Sequence, residues 1–158
     1  MTPVKQKADS DWCGLACLES ASRDAGLDQQ KDVSQTKFHE IAGTLKQGDD
    51  SKGAMLISLA WAAGLGNCVH SGKGKNFLLK AEPFIYESAV FITTNRNPDT
   101  GEYAGHCWRL KAIGEQGFTV MEPSDKIRDE FADKSFDDLE RFDCDIWVIT
   151  KVTDERLR

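Results

Sequence analysis

The sequence predicts an α+β fold in which N-terminal helices pack against one side of an antiparallel sheet. Two observations indicate this class. Apolar residues recur at helical spacing as far as residue 63, and short β-prone segments separated by glycine- or asparagine-rich turns follow. The chain has 158 residues, which is enough for one domain with its own core. We therefore expect residues 1–158 to form a single domain.

The helices come first in the chain. The first is predicted over residues 13–25, because its apolar residues cover much of its circumference and Gly26 follows it. Two more are predicted over residues 36–46 and 54–63, from apolar residues at helical spacing. The polar residues 47–51 between them indicate a helical hairpin.

The rest of the chain is predicted to alternate between strands and turns, with two short helical segments. A turn at residues 76–80 and a helix over 136–142, capped by Ser135, are the helical segments. Strands are predicted from β-branched and aromatic residues over 67–70, 89–94, 106–113, 118–121 and 145–150.

The composition excludes several kinds of partner. The formal net charge of −6 argues against a nucleic acid or an anionic membrane. No apolar stretch approaches the length of a membrane span, and residues 1–5 lack the apolar segment of a signal peptide. We therefore expect a cytoplasmic protein, although a specialised export system would leave no such mark.

The cysteines indicate reduced thiols. There are five of them, an odd number, and no C-x-x-C pair occurs. No spacing of cysteine and histidine matches a structural zinc site. We therefore expect neither a metal nor a cofactor.

Cys13 is the candidate nucleophile. It lies in the first turn of the first predicted helix, where free backbone N–H groups and the helix dipole stabilise a thiolate. A lone helical cysteine is more often a core residue, and Cys17, one turn later, is assigned that role. A nucleophilic thiolate also needs a partner that accepts and donates protons. His106, which follows Gly105 at the start of a strand, is the candidate.

A third residue should orient the imidazole of His106. Because side chains alternate between sheet faces, the turn after Ile113 decides which carboxylate faces this histidine. A three-residue loop places Glu122 on its face, whereas a two-residue loop places Asp125 opposite it. We favour Glu122. The amide of Gln6 and the backbone N–H of Cys13 are the candidate oxyanion donors.

The order glutamine, cysteine at a helix start, histidine at a strand start and carboxylate after a hairpin is that of papain-like cysteine proteases. Five segments narrow the class further, together with Gln6: residues 12–18 (WCGLACL), 55–65 (MLISLAWAAGL), 105–111 (GHCWRLK), 118–122 (FTVME) and 145–151 (DIWVITK). In these segments the sequence resembles the Josephin domain, a deubiquitinase module. The family usually has Asn or Asp as the third residue, where this chain has Glu122.

The Josephin resemblance implies a single catalytic domain over residues 1–158 that hydrolyses bonds at the ubiquitin C-terminus through a thioester. It implies Cys13, His106, Glu122 and Gln6 as site residues, and ubiquitin or a ubiquitin-like modifier as partner. We expect a monomer without cofactors. The lack of an accessory ubiquitin-binding motif is compatible with a bacterial effector delivered to a host cytoplasm.

Two alternatives remain open. The opening residues 12–17 are also similar to those of the bacterial leader peptidases that cleave after Gly-Gly in peptide transporters. The spacing from His106 to Glu122 and Pro123 is similar to that family's as well. The second alternative is a catalytically idle papain-like binding module, in which Cys13 is no more reactive than Cys68.

Overall fold

A computed structural model describes residues 1–44 and 52–158 of the chain. Its first three helices are α1 (Cys13–Asp24), α2 (Gln35–Thr44) and α3 (Lys52–Ala63). α1 begins at the predicted residue and α3 ends at the predicted residue. The polar linker predicted at 47–51 and the end of the second helix predicted at residue 46 lie outside the described residues.

The strands of the described residues form one antiparallel sheet. Their order across the sheet is β1-β6-β2-β3-β4-β5. The bounds are β1 (Cys68–Gly72), β2 (Ala89–Thr94), β3 (His106–Ile113), β4 (Gly117–Met121), β5 (Phe131–Ser135) and β6 (Asp145–Thr150). The predicted bounds of β2, β3 and β6 are confirmed. β5 was not predicted, because this strand pairs only with β4 and its sequence FADKS lacks β-branched residues.

Helices cover both faces of the sheet rather than one. Side chains of α1, α2 and α3 share a core with Phe91, Met121 and Ile149, whereas alternate sheet residues such as Ile92 and Val148 face the other way. On that second face lie α4 (Gly74–Ala81), α5 (Phe84–Glu87) and α6 (Asp137–Arg141). The prediction of helices on one side was therefore incomplete, since the short later helices carried no signal of which face they cover.

The predicted cap of α6 by Ser135 is wrong: Ser135 ends β5, and its backbone N–H donates to the carboxylate of Asp138 at 3.1 Å. Within the described residues, no helix combines the length and apolar character needed to cross a bilayer.

The β3–β4 hairpin contains an irregularity that decides which side chains share a face. The N–H of Gly114 donates to the carbonyl of Gly117 at 2.8 Å, which closes a two-residue turn. Ala112 then pairs with Thr119, but Leu110 pairs with Val120, so the register shifts by one residue at Lys111. The two-residue turn would place Asp125 opposite His106, but the bulge reverses that outcome and turns Glu122 to the face of His106.

Replacing Gly117 with Ala tests the packing of this hairpin against β5. A Cβ at Gly117 would lie 2.0 Å from the backbone carbonyl oxygen of Lys134, so the two strands must separate. We expect the free energy of unfolding to fall by about 1–3 kcal/mol in urea denaturation. Gly43→Ala is the control, since its Cβ meets nothing within 4 Å and Ala favours a helix, so its stability should stay equal or rise. Equal stability of the two variants would contradict the close approach of β4 and β5.

Candidate active site

Cys13 lies at the first position of α1 and is nearly buried, with 4 % of its surface exposed. The preceding residue, Trp12, provides no side-chain cap. The backbone N–H groups of the first turn therefore face the N-terminal end of the helix without a capping bond from Trp12, and the start of a helix stabilises an anion. The structure thus places the Cys13 thiol where its sequence position predicted.

His106 begins β3 and connects Cys13 with Glu122. Its Nε2 lies 2.7 Å from Glu122 Oε2, and its side chain also forms a hydrogen bond with Cys13. Because Nε2 faces the carboxylate, Nδ1 is the ring nitrogen left for the thiol. Burial acts to lower the pKa of His106, but the hydrogen bonds and negative charges of Cys13 and Glu122 outweigh it and raise the pKa to about 10. The arrangement therefore favours the imidazolium form of His106.

Glu122 follows the last residue of β4 and is buried, with 3 % of its surface exposed. Its Oε1 accepts the indole N–H of Trp108 at 3.2 Å, and its Oε2 accepts the backbone N–H of Ser124 at 3.2 Å. Burial alone would raise the pKa of Glu122, but the contacts with His106, Ser124 and Trp108 lower it. The carboxylate is thereby kept ionised and fixed in position.

Trp108 is the residue of this group that the sequence reasoning missed. It lies two residues after His106 on the same strand and therefore on the same face of the sheet. Its ring stands edge-on to the imidazole of His106, with centroids 5.8 Å apart. The period of two along a strand was the available signal, because it predicts that Trp108 and His106 share a face.

Asp125, the alternative carboxylate, lies apart from His106. Its Oδ2 accepts the backbone N–H of Asp9 at 3.2 Å, in the segment before α1. Among the contacts of the described residues, the structure therefore brings His106 to Glu122 and not to Asp125.

Gln6 lies in the segment before α1 and contacts both that segment and the residues that follow β4. Its backbone N–H donates to the carbonyl of Pro123 at 2.7 Å, and its Nε2 donates to the carbonyl of Ser10 at 2.6 Å. The Oε1 atom is buried without a hydrogen-bond partner in the described residues. The amide is thus held in the segment leading into α1, and one of its two N–H groups is engaged by Ser10.

The residues before α1 also hold the backbone of Glu122. The ammonium group of Lys5 donates to the carbonyl of Glu122 at 2.8 Å and to that of Asp129 at 2.7 Å. The carbonyl of Lys5 in turn accepts the side-chain amide of Gln35, from α2, at 2.9 Å. Lys5 therefore joins the helical layer to the end of β4, where the carboxylate is placed.

Cys17 differs from Cys13 although both belong to α1. It is fully buried, and its Sγ donates to the carbonyl of Cys107 at 3.6 Å. Burial, together with the contact with Cys107, raises the pKa of Cys17 well above its ordinary value. The thiol stays protonated, which suits the core position predicted for Cys17.

The electrostatics of the site suit nucleophilic catalysis by a thiolate. A cysteine at a helix start, an imidazole beside it and a buried carboxylate behind the imidazole are the kinds of group that such catalysis uses as nucleophile, proton carrier and orienting residue. In the described part of the chain, no group of three or more His, Cys, Asp or Glu side chains is arranged to hold a metal ion.

The fold is that of a papain-like peptidase domain. The chain superposes on the crystal structure of the peptidase domain of Streptococcus ComA, a bi-functional ABC transporter involved in a quorum sensing pathway, with a TM-score of 0.61. The alignment covers 96 % of this chain and 100 % of that domain at 16 % sequence identity, so the likeness concerns the fold. No protein-family model matches the sequence, and neither does any curated protein. The papain-like part of the expectation is thus confirmed, while no comparison supports the Josephin family.

The titration of His106 tests the charge arrangement. Because its folded-state pKa of about 10 exceeds the ordinary value of 6.5, His106 should remain protonated at neutral pH. The stability that this contact supplies should be complete below pH 6.5 and disappear as the pH rises through 10. Cys13→Ala and Glu122→Gln should each lower the pKa in an NMR titration of the imidazole, because each removes a negative partner. Cys17→Ala is the control that should leave it unchanged, and an ordinary pKa in the unmodified protein would contradict the arrangement.

Replacing Trp108 with Phe tests the support of Glu122. The change leaves a buried carboxylate oxygen without its indole donor, so we expect the free energy of unfolding to fall by about 1–3 kcal/mol. Trp147→Phe is the matched control, since that indole donates to Thr93 Oγ1 at 2.8 Å instead. Both variants should lose stability in thermal denaturation, but only Trp108→Phe should shift the pKa of His106. A shift in both variants, or in neither, would argue against a positioning role for Trp108.

Proposed function

We propose that the protein is a cysteine peptidase in which Cys13 is the nucleophile, His106 the proton carrier and Glu122 the orienting residue. The observation that carries this proposal is the connected series from the Cys13 thiol through the imidazole to a buried carboxylate. The papain-like fold supports it independently, because the first helix and the sheet are the elements that place these groups. We also propose that residues 1–158 act as one catalytic unit.

The proposed reaction begins with attack of the Cys13 thiolate on the carbonyl carbon of the scissile bond. The imidazolium of His106 gives its proton to the leaving amine, and a thioester forms. His106 then takes a proton from water, whose oxygen attacks the thioester and releases the acid product and the Cys13 thiolate, which restores the starting ion pair. Glu122 holds the ring and stabilises its charge throughout.

The backbone N–H of Cys13 is proposed as one donor to the oxyanion, and the second N–H of the Gln6 amide as the other. This assignment for Gln6 draws on its sequence order and on its position next to Ser10, three residues before the nucleophile. Substrate binding would bring the carbonyl oxygen between the two donors.

For the substrate, we propose a peptide cleaved after a small-residue pair such as Gly-Gly. The similarity of residues 12–17 to leader peptidases of peptide transporters supports this choice. So does the structural likeness to a peptidase domain of an ABC transporter. The Josephin resemblance favours ubiquitin instead. Both kinds of peptidase accept small residues beside the scissile bond. Only an assay that offers each substrate can therefore distinguish them.

A cleavage assay separates these substrates. We expect hydrolysis of a leader-type peptide after Gly-Gly, detected by mass spectrometry, and no cleavage of diubiquitin. Cys13→Ala should reduce the rate by at least about a thousandfold, whereas Cys17→Ala should keep it within about threefold. Cleavage of diubiquitin alone would favour the Josephin-type activity, and activity that persists in Cys13→Ala would overturn the proposed nucleophile.

Thiol reactivity distinguishes a peptidase from an idle binding module. We expect iodoacetamide to modify Cys13 faster than Cys68, as followed by mass spectrometry of the intact and digested protein. Cys68 is a stringent reference for two reasons. It is only half-buried, so the reagent reaches it more easily than the buried Cys13, and it also has a neighbouring imidazole, because its Sγ lies 3.6 Å from His70 Nε2. Equal rates at the two thiols would support the idle module.

A further inference from the structure

A second concave site lies away from the candidate active site. It is a cleft of about 780 Å³ at the ends of α1 and β3 opposite to Cys13 and His106. Asp24 at the last position of α1 and Arg109 and Lys111 of β3 line it. Since a helix rises about 1.5 Å per residue, the length of α1 separates the cleft from Cys13 by roughly 16 Å.

Arg109 places a guanidinium group in this cleft, and other residues engage only part of its hydrogen-bonding capacity. Its side chain is buried, with 5 % of the residue exposed. Nη1 donates to Ser20 Oγ at 2.9 Å and to the carboxylate of Asp24, whereas Nε and Nη2 have no hydrogen-bond partner among the described residues. Those two nitrogens form one planar edge of the guanidinium, which matches the two oxygens of a carboxylate.

The charges that line the cleft favour an anion. Its three carboxylates are already held by guanidinium groups: Asp24 by Arg109, and Glu87 and Asp154 by Arg156. Lys151 also lines the cleft and has no ion pair within the described residues. Positive side chains therefore outnumber negative ones in this cleft, although the chain as a whole carries a net charge of −6.

The remaining walls are apolar. Leu27, Leu65 and Phe84 line the interior. Tyr86 and Val152 line the cleft as well, yet 85 % and 68 % of their surfaces are exposed. Exposed apolar side chains beside a concave surface are typical of a binding site, where a bound ligand covers them.

We propose that this cleft binds an amphipathic carboxylate, with the acid group on the free edge of Arg109 and the apolar part against Leu27 and Tyr86. Its volume lies within the range of about 300–1,000 Å³ that is typical of small-ligand sites. Two sources share this chemistry: a free fatty acid, and the C-terminal carboxylate of a short apolar peptide. The proposal concerns binding and is independent of the peptidase activity.

Calorimetric titration of the complete chain tests the proposal. We expect saturable one-to-one binding of octanoate or of the dipeptide Leu-Phe, and at least about tenfold weaker binding of octanol or the amidated dipeptide, which lack the carboxylate. The probe that binds more tightly identifies the source. Arg109→Lys, which retains the charge but removes the planar edge, should weaken binding by about tenfold or more.

Exposed residues provide variants that do not depend on the buried arginine. Tyr86→Ala combined with Lys151→Ala should weaken binding of the carboxylate probes. Tyr103→Ala, the change of the only other tyrosine, which is 68 % exposed and does not line the cleft, should not. If Arg109→Lys fails to fold, this comparison alone decides. The proposal is overturned if neither carboxylate binds, if the neutral analogues bind equally well, or if the Tyr86 and Lys151 changes have no more effect than Tyr103→Ala.

Discussion

The hydrogen bond between His106 and Glu122 depends on a single irregularity in the β3–β4 hairpin. The turn at Glu115 and Gln116 contains two residues, which in a regular ladder would present the carboxylate of Asp125 to the histidine. The bulge at Lys111 adds one residue to β3 and moves every later residue of β4 by one position. Glu122, rather than Asp125, then shares a face with His106 and Trp108. The hydrogen bonds of Glu122 with these two side chains therefore form within one hairpin.

This carboxylate is fixed from two directions. Trp108 and Ser124 hold its oxygens, while Lys5 holds its backbone carbonyl from the segment before α1. That segment is anchored again at its other end, because Thr2 bonds to Asp24 of α1, which in turn binds Arg109 of β3. α1 is therefore joined to β3 at both of its own ends, at its start through Cys13 and His106 and at its end through Asp24 and Arg109. The distance between the side chains of Cys13 and His106 is therefore set by a helix and a strand rather than by loops.

The fold class and most elements could be predicted because they follow local rules. The strand over residues 89–94 is rich in β-branched residues, and the start of α1 at Cys13 follows from where the apolar pattern begins. β5 could not be predicted, since FADKS becomes a strand only through pairing with β4. The choice of Glu122 was predicted through a three-residue turn, whereas the structure reaches the same residue through a two-residue turn and a bulge. Bulges depend on the packing of neighbouring strands, so a single sequence carries little signal of them.

Cys13 and Cys17 show why residue type alone does not decide reactivity. Both are nearly or fully buried on the same helix, and burial by itself keeps a thiol protonated. The difference lies in their neighbours. Cys17 faces the backbone carbonyl and thiol of Cys107, and the positive charge of Arg109 offsets only a small part of its desolvation, so its pKa rises. Cys13 faces the imidazole of His106, whose pKa is raised by its contacts with Cys13 and Glu122, and it lies at the positive end of the helix dipole. The negative charge of a thiolate is therefore compensated mainly at Cys13, by the imidazole of His106 on β3 and by the start of α1.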